Sequence, residues 1–382
     1  MKKEPTNWNT YLIVVVVIAV AVGLYFMLAM PTSKEAPKQK APAKEVTLTI
    51  LGADCKECFN ISVAKDFIKQ QKTISLKETK ELTIDESKEL AGKYNITKLP
   101  ALIITGDITN LTISNFDSKE DALVFDKTPP PYYDIATEAI KGKVAITIIE
   151  DTNCKECFNI SLIVAQMEQA GIIISSKTAV YAKGEDGKAL IQKYNITKIP
   201  TIIMSKDALD YDVIAQAWEQ VGTTESDGKL VLRMVNPPYI NVSTGAVEGI
   251  TTITYLVDEG CTECTNASGY KEILTQSFNM YFKTEETIGV NSTKGKLMVK
   301  KYGIELVPTV IISKEANAYP NFAEGWKSVG TEETDGSFVF KNVPLLKNYY
   351  AMQGKTFLYK NLTSGEVVNG TTEAEITPPA PE

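Results

Sequence analysis

The chain has 382 residues, which is too long for one ordinary domain. Of these residues 44% are hydrophobic and 23% charged, the composition of a globular protein. Its net charge of −7, without a basic block or a stripe of basic and aromatic residues, argues against nucleic-acid binding. The sequence contains no histidine, which excludes mechanisms with an imidazole base and metal sites with histidine ligands.

The first feature in chain order is an apolar segment. Residues 11–30 carry no charge, and as a helix they would be about 30 Å long, enough to cross a bilayer core. This pattern predicts one transmembrane anchor after a short cytoplasmic N-terminus, residues 1–10; a cleaved secretory signal is the alternative. Residues 31–44 have the Pro, Ala and Lys content of a semi-extended linker.

Asn-x-Ser/Thr sites are more frequent than the roughly three expected by chance, and such sites mark exported surface loops. The candidate glycosylation sites are Asn60, Asn95, Asn110, Asn159, Asn195, Asn241, Asn266, Asn291, Asn361 and Asn369. Lysines flank the apolar segment on both sides, so charge alone does not orient it. The sites favour a single-pass membrane protein whose domains after the anchor are extracytoplasmic and glycosylated.

One pattern occurs three times after the linker. Each copy has an apolar run, a Cys-x-x-Cys pair, a helical pattern, a second strand, a short helix ending in Lys-Tyr, and a proline before a β-branched strand. This order predicts an α/β fold with a partly parallel sheet in each copy. The predicted domains are residues 45–140, 141–248 and 249–370, followed by a disordered tail at 371–382.

Apolar spacing predicts local elements inside the copies. In the first copy Phe59, Val63 and Phe67 recur every four residues and Ile68 widens the stripe, which predicts a helix with this face on the core. The second strands are expected at residues 74–76, 172–174 and 278–282.

Segments near the ends of the copies also repeat. Trp218 and Trp326 begin similar stretches, and we expect both rings in the core. Residues 239–249 resemble residues 359–370, which predicts an added strand pair or an extended linker whose position the sequence leaves open.

The cysteines are the main candidates for chemistry. They form three pairs, Cys55 with Cys58, Cys154 with Cys157, and Cys261 with Cys264. A bridge between residues three apart closes almost no loop and stabilises a fold little, which favours redox or metal chemistry over stapling. A first sulfur at a helix N-terminus would be a stabilised thiolate, and the second cysteine would resolve the mixed disulfide. Inert bridges, or a zinc site made from two pairs, are the alternatives.

Each copy also carries an apolar residue and a proline before its third strand. These pairs are Leu99-Pro100, Ile199-Pro200 and Val307-Pro308. Together with the upstream cysteines, the segments at 199–203 and 307–311 resemble the signature of the thioredoxin-like superfamily, over about 60 residues per copy. The chain departs from that family between the cysteines, where Lys-Glu or Thr-Glu stands in place of Gly-Pro.

The resemblance implies three tandem thioredoxin-like domains, each a central mixed sheet flanked by helices. It also implies cis bonds at the three prolines and substrate binding by the backbone of the preceding residues. We therefore expect a membrane-anchored, extracytoplasmic thiol–disulfide oxidoreductase or isomerase, similar to protein disulfide isomerase, that acts on protein thiols and disulfides. We expect no cofactor and no metal, and the redox partner stays open. The alternative is a non-catalytic cell-surface ectodomain with inert disulfides.

Overall fold

The computed structural model describes residues 43–369 and contains three similar units of mixed sheet and helix. The expected α/β class and the three repeated units are confirmed. The expected N-terminus (1–10), anchor (11–30) and tail (371–382), and nearly all of the linker (31–44), lie outside the described residues. Between residues 43 and 369, no helix combines the length and the apolar character needed to cross a bilayer.

The first unit has a five-stranded and a three-stranded sheet. Its elements are β1 (Lys44–Leu51), α1 (Ser62–Lys69), β2 (Ile74–Leu82), α2 (Ile84–Lys93), β3 (Lys98–Leu99), β4 (Ala101–Gly106), β5 (Asp117–Lys119), β6 (Ala122–Phe125), β7 (Tyr132–Asp134) and β8 (Ala139–Lys141). The large sheet has the order β2-β1-β4-β6-β5, with β1 parallel to β2 and antiparallel to β4. This arrangement agrees with the thioredoxin-like fold that the resemblance implies.

The second unit repeats this order and adds a 3-10 turn and a helix after its fourth strand. Its elements are β9 (Val144–Glu150), α3 (Ser161–Gln169), β10 (Ile174–Tyr181), α4 (Glu185–Lys193), β11 (Lys198–Ile199), β12 (Thr201–Met204), a 3-10 turn (Lys206–Asp210), α5 (Asp212–Val221), β13 (Gly222–Thr224), β14 (Leu230–Leu232), β15 (Tyr239–Asn241) and β16 (Val247–Glu248). The large sheet runs β10-β9-β12-β14-β13. Its first two strands are parallel, as in the first unit.

The third unit repeats the order again and adds a helix near its end. Its elements are β17 (Thr251–Val257), α6 (Gly269–Phe278), β18 (Phe282–Gly289), α7 (Thr293–Tyr302), β19 (Leu306–Val307), β20 (Thr309–Ile312), 3-10 turns (Lys314–Ala318 and Val343–Leu345), α8 (Phe322–Trp326), β21 (Gly330–Glu332), β22 (Phe338–Phe340), α9 (Leu346–Met352), β23 (Leu358–Asn361) and β24 (Val367–Asn369). The large sheet runs β18-β17-β20-β22-β21.

The central strands are buried on both faces. In the first unit Leu48 and Leu102 enter one apolar cluster, while Leu51, Ile103 and Val124 enter the cluster on the opposite face. Because successive side chains of a strand point to opposite faces, β4 supplies both clusters with its continuous apolar run. In β1 apolar residues alternate with threonine up to Ile50, and Leu51 faces the other cluster.

The core face of α1 differs from the expected one. Val63 and Phe67 are 63% and 42% exposed, whereas Ile68 is fully buried and packs in one cluster with Ile61 and Ala64. The expected stripe was therefore wrong at Val63 and Phe67, whereas Phe59, which lies before the helix, and Ile68 both pack on this cluster. The helix begins only at Ser62, so its contact face follows the spacing 61, 64, 68.

The second strands are longer than expected. β2, β10 and β18 each lie at the edge of a large sheet and have eight or nine residues, most of them exposed. Charged residues are favourable on such edges because they discourage pairing with another chain. The expected strands at 172–174 and 278–282 were wrong in position, since each overlaps its observed strand by one residue only. β10 begins at Ile174, and β18 begins at Phe282, after α6 ends at Phe278.

The two repeated tryptophans lie in the core, as expected. Trp218 and Trp326 are 5% and 4% exposed. A Cβ on Gly222 would come within 2.4 Å of the Trp218 ring, and one on Gly330 within 2.6 Å of Trp326 Nε1. The repeated Trp-x-x-x-Gly spacing therefore reflects packing of the indole on a glycine that no larger residue can replace without displacement.

Each unit ends in a hairpin, and this hairpin is the added element whose position the sequence left open. The hairpins are β7–β8, β15–β16 and β23–β24. Each pairs through its first strand with the two-residue strand just before the third-strand proline, namely β3, β11 and β19. The similar segments at 239–249 and 359–370 are therefore equivalent hairpins.

Buried tyrosines hold the ends of the first two hairpins to the following units. The Tyr211 hydroxyl donates to the carbonyl of Gly142 at 2.8 Å, and the Tyr319 hydroxyl donates to that of Gly249 at 2.7 Å. Each glycine lies between a hairpin and the first strand of the next unit. These hydrogen bonds therefore tie the hairpin of one unit to the core of its successor.

Candidate functional site: three disulfide loops

Each Cys-x-x-Cys pair is a disulfide within its own unit. The Cα–Cα distances are 5.3, 5.4 and 5.5 Å for the first, second and third pairs. All six residues are half-buried. No sulfur is shared between units, so the structure does not assemble a four-cysteine zinc site from two pairs.

The disulfide loops precede the helices instead of beginning them. α1 begins four residues after Cys58, and the helices of the other units begin similarly late. The side-chain oxygen of Asn60 accepts the N–H of Ser62 at 3.1 Å, and this turn directs the chain into α1. Asn159 and Asn266 make the same turn before their helices.

The expected position of the first sulfur in the first helical turn was therefore wrong. Cys55 lies seven residues before α1, and the field of a helix terminus falls off within its first turn. The helix consequently does not stabilise a thiolate at this cysteine.

Cis peptide bonds precede Pro100, Pro200 and Pro308, as the resemblance implies. Two further cis bonds, before Pro131 and Pro238, were not expected. They lie immediately before the first and second hairpins.

The backbone before each of these three prolines is already paired. Leu99 lies opposite Tyr133, Ile199 opposite Ile240, and Val307 opposite Lys360. The resemblance assigns substrate binding to the backbone of Leu99, Ile199 and Val307. In all three units this edge holds a strand of the same chain.

The hairpins also bind the disulfide loops. The residue after each second cysteine donates its backbone N–H to a carbonyl in the hairpin or directly before it, in the pairs Phe59 to Pro131 (2.9 Å), Phe158 to Pro238 (2.7 Å) and Thr265 to Leu358 (2.9 Å). In the first unit Cys55 and Cys58 pack on the apolar cluster that contains Leu99 and Tyr133. The hairpin thus contacts both the disulfide loop and the strand that precedes the proline.

The third unit differs from the first by a cavity at the sulfurs. A cavity of about 340 Å³ is lined by Cys261, Cys264 and Pro308 together. In the first unit a cavity of about 870 Å³ lies beside the loop, with Asp54 and Tyr133 in its lining, but the described lining includes neither cysteine.

A buried carboxylate stands next to the third disulfide. Asp258 is 9% exposed, and its side chain accepts hydrogen bonds from Lys360 Nζ at 2.6 Å and from the N–H of Gly260 at 3.0 Å. The hydrogen bond from Lys360 holds the pKa of Asp258 below its usual value. Its backbone carbonyl accepts the N–H of Cys261 at 3.0 Å. This aspartate is therefore ionised and fixed at the entry to the loop.

The second unit has a related carboxylate, and the first does not. Asp151 is 7% exposed and pairs with Lys183 at 2.7 Å, which lowers the pKa of Asp151. The first unit has Gly52 at the equivalent position. An aspartate three residues before the first cysteine was the available sequence signal. The lysine that pairs with it could not be predicted from the sequence, because Lys360 lies 102 residues away from Asp258.

The candidate glycosylation sites lie at the surface. Asn241 and Asn361 are half-buried in hairpins, and the other eight are exposed. Asn95 and Asn195 have φ of 51° and 48°, and the third copy has Gly303 with φ of 58° at the same helix end. Asparagine is favoured at such a left-handed position, so the fold gives a reason for these two residues beside glycosylation. Glycan attachment stays a prediction.

No family model matches the chain, and no curated protein sequence matches it. Among solved structures, it is similar to the NTD_N/C domain of alkylhydroperoxide reductase AhpF from Enterococcus faecalis, with 15% identity over 42% of this chain and 82% of that one and a TM-score of 0.15. The zinc-bound form of human ERp44 shows 15% identity over 72% and 80%, with a TM-score of 0.13. A protein disulfide oxidoreductase from Aeropyrum pernix shows 12% identity over 42% and 77%, with a TM-score of 0.14. These TM-scores are too low to support a conclusion, so we base the functional proposal on the geometry of this chain.

Proposed function

We propose that this protein is a membrane-anchored, extracytoplasmic thiol–disulfide oxidoreductase that uses its Cys-x-x-Cys pairs. The observation that carries the proposal is the third site, where Cys261, Cys264 and Pro308 line one cavity. Disulfide exchange needs a sulfur that a thiolate can approach, and the half-buried cysteines at this cavity meet that need. The apolar segment at 11–30 and the Asn-x-Ser/Thr sites support the anchoring and the compartment.

The electrostatics favour the disulfide over the dithiolate. No helix N-terminus stabilises a thiolate at Cys261, since α6 begins only at Gly269, and the positive charge of the nearby Lys360 is compensated by its ion pair with Asp258. Pairs with an unstabilised thiolate have low reduction potentials. We therefore expect a potential near or below about −270 mV for this pair, so that its reduced form acts as a reductant.

A second candidate is a non-catalytic ectodomain with inert bridges. The pairing of Leu99, Ile199 and Val307 with the hairpins favours it, because the expected substrate edge is occupied in every unit. In this case the disulfides would contribute little to stability, since each closes a very short loop.

Turnover of a model disulfide separates the two candidates. The full-length protein in detergent should reduce the model disulfide when a dithiol reductant is supplied. The triple variant Cys55→Ser, Cys154→Ser and Cys261→Ser should reduce it no faster than the reductant alone. Equal rates for the wild type and the triple variant would support the non-catalytic ectodomain. Titration of the third pair against a redox buffer, read by alkylation and mass spectrometry, measures its potential directly.

A further inference from the structure

In the third unit, several backbone contacts hold the hairpin strand β23 against β19, the strand just before Pro308. Val307 pairs with Lys360, and the neighbouring N–H of Leu362 donates to the carbonyl of Glu305 at 2.8 Å. On the disulfide side, Thr265 donates its N–H to Leu358 and accepts the N–H of Leu358 on its hydroxyl at 2.8 Å. An extended peptide that paired with β19 would have to break these hydrogen bonds first.

Side chains anchor the same hairpin. Phe357, directly before β23, is 2% exposed and packs in the apolar core of the unit, with its ring 5.1 Å from that of Tyr350. Lys360 forms its ion pair with the buried Asp258. Removing β23 would expose the aromatic ring and leave a buried carboxylate without its cation, and both changes are costly. The edge is therefore closed to a competing strand.

The cavity offers a different approach to the sulfurs. Its volume of about 340 Å³ is at the lower end of the range for small-molecule pockets. It reaches Cys261 and Cys264 without involving β23, whose residues do not belong to its described lining. A compact thiol fits this space, whereas a folded or extended chain does not.

The cavity lining is acidic. Asp258, Glu259 and Glu285 all contribute to it. Lys360 pairs with Asp258 and Lys271 with Glu285, so Glu259 leaves the lining with an excess of negative charge. A focused negative potential attracts cations and repels anions in the approach to a site.

We infer that the third disulfide exchanges with small thiols that are neutral or cationic, and that β23–β24 excludes extended polypeptide thiols from it. This substrate class rests on the proposed oxidoreductase function. The thiolate of a small thiol attacks the Cys261 sulfur, the bond to Cys264 breaks, and Cys264 leaves as a thiolate that takes a proton from water. A second thiolate attacks the small-thiol sulfur of the mixed disulfide. This releases the small disulfide and the Cys261 thiolate, so that two thiols are oxidised as one protein disulfide is reduced.

The test measures reduction rates of each disulfide separately in the full-length protein. Aminoethanethiol, mercaptoethanol, mercaptoacetate and an extended ten-residue peptide with one cysteine serve as reductants, each at the same thiolate concentration. Alkylation of quenched samples followed by mass spectrometry of proteolytic fragments reports the third pair alone. Rates are normalised to those of the same thiols with a small model disulfide.

We expect aminoethanethiol to react with the third pair about tenfold faster than mercaptoacetate, and the peptide at least tenfold more slowly than mercaptoethanol. Glu259→Gln should reduce the cation preference, while Glu324→Gln, which removes an exposed charge outside the cavity lining, should preserve it. Lys360→Pro, which removes the backbone N–H opposite Val307, should accelerate the peptide reaction. A third pair that reacts with no thiol contradicts the proposed function itself. A pair that reacts with the peptide as fast as with mercaptoethanol, or that prefers mercaptoacetate, overturns the substrate class alone.

Discussion

The tyrosine that joins the second hairpin to the third unit provides a direct test of how the units are held together. The Tyr319 hydroxyl donates to the buried carbonyl of Gly249 at 2.7 Å and accepts the N–H of Tyr281 at 2.8 Å. Burial raises the pKa of Tyr319 to about 12, so the hydroxyl keeps its proton at any pH used for the assay. Tyr319→Phe leaves both backbone groups without this partner. An unpaired buried polar group costs about 1–3 kcal/mol. Because Tyr281 is 38% exposed, its N–H carries only about 1 kcal/mol of this cost, and we expect about 2–4 kcal/mol in sum.

Hydrogen exchange read by mass spectrometry can measure this loss for one unit at a time. Amides of β17 and β20, the central strands of the third unit, should exchange roughly 30- to 1,000-fold faster in Tyr319→Phe, since each 1.4 kcal/mol is a factor of ten. Tyr211→Phe should do the same to the second unit, because its hydroxyl bonds Gly142 and the N–H of Ile173 in the same way.

Tyr281→Phe is the matched control, since it removes a hydroxyl from a side chain that is 38% exposed and leaves the backbone N–H in place. Its exchange rates should stay close to those of the wild type. A change below threefold in Tyr319→Phe, or an equal change in the control, would refute the assigned role of the hydroxyl.

Two further predictions concern the third unit. Gly330→Ala should destabilise it by about 2–3 kcal/mol, since the added Cβ would lie 2.6 Å from Trp326 Nε1. Gly325→Ala, whose Cβ meets nothing closer than 3.6 Å, should have no such cost in a urea titration. Asp258 has a lowered pKa in the folded state, so its contribution to stability is present above about pH 3.9 and is lost as the pH falls through the folded value. The destabilisation by Asp258→Asn should therefore be smaller at pH 3 than at pH 7, and equal urea midpoint shifts at both values would contradict the ion pair with Lys360.

Much of the architecture could be predicted because the information is local. Short runs of apolar and β-branched residues identified the central strands, and the number of units followed from the threefold repetition. Cysteines three residues apart can form a disulfide without contacts to residues far away in the chain, as they do in each unit. The helix in the first unit was misplaced because Asn60 starts it late, and this side-chain turn does not alter the apolar spacing.

The sequence by itself determined the α/β order, the three cysteine pairs and the prolines that follow them, since these depend on residue types at short spacing. Only the tertiary structure decided that a hairpin fills the edge before each proline, and that Lys360 crosses to Asp258. Pairing of strands and charges far apart in the chain depends on closing long loops around a common core, and no local pattern of residues encodes that closure.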